Sequence, residues 1–129
     1  MVGFNFSRKM NKQLVISALE NACYKQGNPR GVILHNDRGS QYTSMDYLNT
    51  AEKHGMKLSY SKKGCPFDNA PMESFHASLK KEEVYLRHYS DFDDAKLSLF
   101  DYIEGFYNRN RIHSAINFST PLEFEKSFF

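Results

Sequence analysis

Two short apolar runs with a helix-patterned stretch between them constrain this chain more than any other feature. Gly31-Val32-Ile33-Leu34-His35 reads as a short buried strand, an apolar run bounded by Pro29 and by polar residues. Met56 to Ser59 reads as another. Between them, Thr43 or Ser44 caps a helix that carries Leu48 and Ala51, and Gly55 stops it. Strands joined through a helix are parallel neighbours, so the alternation predicts a layered α/β fold.

The flanks extend the pattern. Val2 to Phe6 predicts a further short strand. Asn11 then caps a helix with Leu14, Val15, Ala18, Leu19, Ala22 and Cys23 at helical spacing, and Gly27 ends it. Past the second run, Ser61 to Pro66 predicts a loop, with Gly64 and Pro66 as breakers. A helix follows from about Asn69 to Val84, with Asp68 as its cap and Pro71 in the first turn, where a missing N–H costs little. Ser90 or Asp91 opens the last long helix. Its apolar face is Phe92, Ala95, Leu99, Phe100, Ile103, Phe106 and Tyr107. The tail from Ile112 to Phe129 is mixed. With no repeat and no Pro/Gly/Ser-rich linker, the 129 residues read as one domain.

Composition removes some function classes. Hydrophobic residues are 40% and aromatics 15%, enough for a packed core and against global disorder. A net charge of +2 does not argue for nucleic acid by itself; DNA would need a local basic patch. Cys23 and Cys65 lack metal-ligand spacing, which fits a reduced, cytoplasmic protein. There is no signal peptide, and no apolar run approaches the ~20 residues of a membrane span.

Acids at element ends carry the chemistry. Asp37 follows a strand, the edge of an α/β sheet where ligands collect. Glu73 falls in the first turns of the helix after Asp68, with 35 residues between it and Asp37. Two such carboxylates can converge on one hard cation, since Mg²⁺ takes one or two protein carboxylates plus substrate phosphates. Two ions of this kind can activate an attacking oxygen and stabilise a leaving one. Lys80 lies two helical turns after Glu73, on the same face. Each residue also has a plain structural reading. An Asp after a strand is commonly a turn residue, and an early Glu complements the helix dipole. Lys80 alone reads as a solvated face, and His35 and His76 as packing or surface residues.

Longer segments carry a family resemblance. His35-Asn36-Asp37-Arg38-Gly39-Ser40-Gln41-Tyr42-Thr43-Ser44 resembles the segment around the second catalytic Asp of bacterial insertion-sequence transposases of the OrfB type. Lys63 to Phe75 resembles the segment that holds that family's catalytic Glu. Phe106 to Ser114 and Thr120-Pro121-Leu122-Glu123-Phe124 resemble its C-terminal motifs. The resemblance covers nearly the whole chain, in order. It implies a ribonuclease-H-like fold of the retroviral-integrase kind, a mixed sheet flanked by helices. It also implies an Asp-Asp-Glu metal site for Mg²⁺ or Mn²⁺, with Asp37 as the second acid and Glu73 as the third. Asn36 stands where the family usually has Ser, and Cys65 where it often has Asn; neither is a metal ligand.

The front of the chain departs from the family. The family's first catalytic Asp lies on a central strand upstream of the segment matched by Val2 to Arg8, and no acid occurs here before Glu20. That strand is therefore expected to be lacking, and the chain reads as an N-terminally truncated, inactive catalytic core. Lys62, Lys63, Lys80, Lys81 and Arg38 can form a basic rim that holds DNA phosphates without reading sequence. Arg111, after the last helix, reads equally as a helix C-terminal cap or as a contact to DNA or a second subunit. The expected partners are DNA, as element ends and target, and a homo-oligomer or full-length transposase. The expected place is the bacterial cytoplasm at the nucleoid. Three functions follow: a DNA-nicking and strand-joining core, a non-catalytic remnant that binds DNA or a partner, and a nuclease that cuts without joining.

Overall fold

Polar side chains placed before apolar periods start the helices of this chain. The computed structural model describes residues 1–128, Pro66 without its side chain; Phe129, the end of the expected mixed tail, lies outside the described residues. The Asn11 carboxamide accepts from the backbone N–H of Leu14 and opens α1, Lys12–Lys25. Gly27, at φ 72°, turns the chain out of it. Strand β1, Ile33–Asn36, follows, then a single turn α2, Ser40–Thr43. Ser44 caps α3, Met45–Lys53, and the chain enters β2, Lys57–Tyr60. Strands β1 and β2 pair in parallel, with Ile33 opposite Lys57 and Asn36 opposite Tyr60.

Val2–Ala77 forms one compact unit, and Met1 with Ser78–Phe129 forms a second. The core of the first unit is Ile16, Leu19 and Cys23 of α1 against Tyr47 and Ala51 of α3. These are the inward positions of two amphipathic helices, and Leu34 of β1 packs on them. Burial raises the Cys23 thiol's pKa, which suits a core residue better than a reactive one.

The expected strand at Val2 to Phe6 does not form; those residues run without regular structure. They are fixed instead by contacts to α1. Phe4's carbonyl accepts from Asn21, and a Cβ placed on Gly3 would lie 2.5 Å from that of Ala22, so only glycine fits there. Nor is β1 buried: Ile33 is 69% exposed, and among the described residues β2 is the only strand beside it. Its apolar run is an edge strand with an uncovered flank.

The helix expected from about Asn69 is in two parts. A 3₁₀ turn, Pro66–Asn69, leads into α4, Ala70–Glu82, with Pro71 in the first turn. Asp68 sits inside the 3₁₀ turn and accepts from the Lys62 N–H, bracing the preceding loop rather than capping the helix. Asp91 caps α5, Phe92–Phe100, which widens into a π-helical stretch, Asp101–Tyr107. The expected apolar face holds in part: Ile103 is buried as expected and Tyr102 joins it, whereas Phe100 and Phe106 are exposed. The mixed tail holds a short antiparallel bridge between His113 and Ser119. It then forms α6, Pro121–Lys126, opened by a reciprocal cap between Thr120 and Glu123. Accepting the Thr120 N–H and hydroxyl lowers the Glu123 pKa. Among the described residues no helix is long and apolar enough to cross a membrane.

Candidate active site

Asp37 sits one residue past β1, where the parallel pair ends and the chain turns toward α2. Its Oδ1 accepts from the Gly39 N–H at 2.7 Å, which holds the turn and leaves the carboxylate exposed to solvent. Glu73 lies in the first turn of α4 and is also exposed. Among the described residues no side chain pairs with its carboxylate. Both acids line one cleft of about 560 Å³ in the Val2–Ala77 unit. The apolar floor of the cleft is Val15, Leu19 and Leu34; its rim carries Asn36, Asp68, Asn69 and His76.

The wall near Asp37 is held by tyrosine hydrogen bonds and ring packing. Tyr47, buried at 2% exposure, donates its hydroxyl to Asn36 Oδ1 at 2.7 Å. Tyr42 stacks edge-on against Tyr47, and its carbonyl accepts from Tyr60. Burial, and then the nearby charge of Asp37, raise the Tyr42 pKa, so it stays a neutral wall. Burial raises that of Tyr47 as well.

Among the described residues no group of three acids, histidines or cysteines is placed to hold a metal ion by itself. A cleft with two carboxylates and open space suits a hard divalent cation, which fills the rest of its coordination with water and phosphate oxygens.

The residues expected to meet DNA fall into two groups. Lys62, Lys63 and Lys80 are exposed. Arg38 donates through Nε to the Ser61 carbonyl, an anchor at the base of an otherwise exposed side chain. Arg111 differs. Its Nε lies 2.8 and 2.9 Å from the two Glu82 carboxylate oxygens, Nη2 donates to Ser78, and the guanidinium stands 5.7 Å over the Tyr107 ring. It does not cap a helix end; it ties the segment after the π-helix to α4 within the second unit.

Two family models described as integrase core domain match the chain, one over residues 1–66 and the other over residues 54–121. The chain belongs to the integrase core family. It is 41% identical to the transposase of insertion sequence IS904 from Lactococcus lactis over 98% of its own length and 50% of that protein's. It is 41% identical to transposase InsF of insertion sequence IS3A from Escherichia coli, over 97% of its length and 43% of InsF. A 31 kDa protein of insertion element IS600 from Shigella sonnei is also 41% identical, with 47% of it covered. The chain thus spans about half the length of the curated relatives it matches. Among solved structures it is similar to a chain of a simian T-cell lymphotropic virus intasome, with a TM-score of 0.64 at 15% identity over 83% of this chain and 37% of that one. That likeness gives the fold, the ribonuclease-H-like α/β architecture of integrase cores, and the insertion-sequence resemblance holds along nearly the whole chain.

Reading the sequence did not single out Ser61, Asn69 or Glu82. Ser61 follows a strand end, Asn69 stands four residues before Glu73, and Glu82 closes α4. Nearness to Glu73 is a signal for Asn69; for Ser61 the signal is only its place one residue past the end of β2. For Glu82 no local signal exists, because its partner Arg111 is 29 residues away.

Proposed function

We propose that the integrase-core cleft takes part in metal-dependent DNA strand transfer, with Asp37 and Glu73 as its metal-binding acids. The observation that supports this reading best is their shared cleft: two carboxylates far apart in sequence, both open to solvent, in one compact unit. We further propose that residues 1–129 together make up part of one such catalytic core. The family resemblance supplies a third acid on a segment upstream of the one matched by Val2 to Arg8.

A bound Mg²⁺ or Mn²⁺ would neutralise charge on a phosphodiester and make an attacking oxygen available near neutral pH. The protein's own groups hold and orient. The Gly39 N–H fixes the Asp37 carboxylate at the end of β1. The first turn of α4 presents Glu73. Lys62 and Lys63 on the loop before α4, Lys80 further along the helix, and the outer nitrogens of Arg38 would contact DNA phosphates. Contacts of this kind place the backbone without reading bases. Arg111 serves as an internal tie in this scheme, because Glu82 occupies its guanidinium. The partners are then DNA ends and target, and further copies of a longer transposase.

The second reading is binding without chemistry, and the absence of a three-ligand group among the described residues favours it for the 129-residue chain on its own. One assay separates the two. The chain is incubated with Mg²⁺ or Mn²⁺ and DNA carrying insertion-sequence ends. A second sample is fused to the upstream segment that supplies the third acid. Binding alone from the short chain, with nicked and joined products from the longer one that vanish in Glu73→Gln, supports the strand-transfer core. Nicking without joining would make it a nuclease. Products from neither sample, with DNA still bound, would leave only the binding role.

A further inference from the structure

Ser61 touches neither acid, yet it touches both chain neighbours of Asp37 and the turn that launches Glu73. Its backbone N–H donates to the Asn36 carbonyl at 2.9 Å, extending the β1–β2 ladder by one bond. Its carbonyl accepts from Arg38 Nε at 3.0 Å. Asn36 and Arg38 bracket Asp37. Its hydroxyl lies 2.6 Å from Asn69 Oδ1 and 3.0 Å from His35 Nε2, with the Asn36 carbonyl further off at 3.4 Å. Asn69 ends the 3₁₀ turn that leads into α4. Ser61 itself is buried, at 6% exposure, and every one of these residues lies in the Val2–Ala77 unit.

The hydrogens around Ser61 have one consistent order. A hydroxyl has a single proton, and the shortest contact assigns it to Asn69 Oδ1, which can only accept. Toward His35 the Ser61 oxygen must then accept, so the imidazole carries hydrogen on Nε2. The other ring nitrogen, Nδ1, lies 3.0 Å from the Ser59 hydroxyl, which donates to it when the imidazole is neutral. The result is a directed chain of hydrogen bonds, Ser59 to His35 to Ser61 to Asn69, running from the β1–β2 pair to the foot of α4.

We propose that Ser61 is a positioning residue for the Asp37–Glu73 pair: through His35 and Asn69 it sets how far the turn after β1 stands from the first turn of α4. The proposal rests on the reading of those two acids as a metal-binding pair. Groups hydrogen-bonded directly to a metal ligand change metal affinity by roughly 10- to 100-fold when lost; Ser61 acts through the backbone beside the acids, so the lower end of that range is expected.

The test uses the full chain, with Mn²⁺ as a paramagnetic probe and two NMR readouts. The imidazole nitrogens of His35 report which one carries hydrogen. The broadening of the Asp37 and Glu73 signals reports metal residence. In the native protein the Nε2–H form is expected, with both acids broadening together as Mn²⁺ is added. Ser61→Ala and Asn69→Ala should each raise the Mn²⁺ concentration for half-broadening by about 10-fold. Ser61→Ala should also shift the His35 nitrogens. Should Ser61→Ala fail to fold, Asn69→Ala carries the test, since its side chain is only half-buried on a turn. Unchanged half-broadening in a folded variant, or the Nδ1–H form in the native protein, overturns the proposal. If Mn²⁺ broadens neither acid in the native protein, the metal reading itself fails and the positioning role goes with it. The His35 signal then still tells whether the hydrogen-bonded chain exists.

Discussion

Glu73 and Glu82 stand on the same helix, and their surroundings are opposite. Glu73, at the start of α4, faces an open cleft with Asp37 and has no pairing side chain among the described residues. Glu82, near the other end, shares the Arg111 Nε–H between its two oxygens and accepts from the Tyr102 hydroxyl at 3.4 Å. Its neighbour Glu83 is buried, at 5% exposure, and accepts from Ser98 and Tyr89 while pairing with Arg87. Burial and the charge of Glu82 push the Tyr102 hydroxyl up to about 12. An acid satisfied by protein donors holds structure and has little left for a ligand. An acid left unsatisfied beside a second one is tolerated because solvent, or a cation, completes it. The contrast separates a framework cluster in the C-terminal unit from a candidate ligand site in the N-terminal unit.

The largest expected effect breaks the comparison along that line. Glu73→Gln or Asp37→Asn should abolish the joint response of the two acids to Mg²⁺ while leaving the thermal midpoint unchanged or slightly higher. Removing one of two like charges relieves repulsion. Glu83→Ala should do the reverse. It removes hydrogen bonds from Ser98 and Tyr89 to a buried charge, worth roughly 1.5–3 kcal/mol each, and leaves the Mg²⁺ response intact. Calorimetry and a Mg²⁺ titration on the same three variants decide it. A Glu73→Gln protein as destabilised as Glu83→Ala would mean that the cleft acids are structural too.

How much of this was legible in the sequence depended on range. Caps act within four residues, so Asn11, Ser44 and Asp91 could be read directly, as could the parallel strand pair and the placing of Asp37 and Glu73 at element ends. Segments whose state depends on distant neighbours could not. Val2 to Phe6 has a strand's composition, but a strand needs a partner, and among the described residues it pairs with none. Asp68 has the composition of a cap, yet the Lys62 N–H engages it first. The π-helical widening at Asp101–Tyr107 departs from the 3.6-residue period, so a 3.6-residue reading turned Phe106 inward. Arg111 matched a family motif, but its role depended on Glu82, which no local pattern links to it.

A smaller effect sharpens the framework side through pH. His113 packs edge-on against Tyr107, with Arg111 Nη1 at 3.2 Å from its Nδ1. Burial first, and the Arg111 charge second, lower its pKa below the ordinary 6.5, with Glu82 acting weakly the other way. The folded state therefore takes up this proton less readily than the unfolded chain. Its contribution to stability is fully present above about pH 6.5 and is lost as the pH falls toward the depressed folded value. Thermal midpoints measured between pH 5 and 8 should show a fall at the acid end that His113→Gln reduces. Equal acid sensitivity in the two proteins would assign that loss to other groups.

The smallest effect tests the comparison at the level of single cations. Lys80 is exposed, and Arg111 is tied to Glu82. Both are positive, and bulk charge arguments treat them alike. Counterion release does not: only a cation that meets a phosphate displaces a condensed ion, and each such contact contributes about 0.9 to the slope of log affinity against log salt on duplex DNA. Lys80→Ala should make that slope shallower by about 0.9 and leave the thermal midpoint alone. Arg111→Ala should lower the midpoint, because Glu82 and Ser78 lose their shared donor, and should leave the slope unchanged. Affinity alone would not separate the two, since a loosened fold also binds less well. The slope does, because it counts phosphate contacts and is insensitive to a uniform loss of competent protein. A slope that falls for Arg111→Ala and not for Lys80→Ala would exchange their roles, moving the DNA surface away from the face of α4 that carries Glu73 and Lys80.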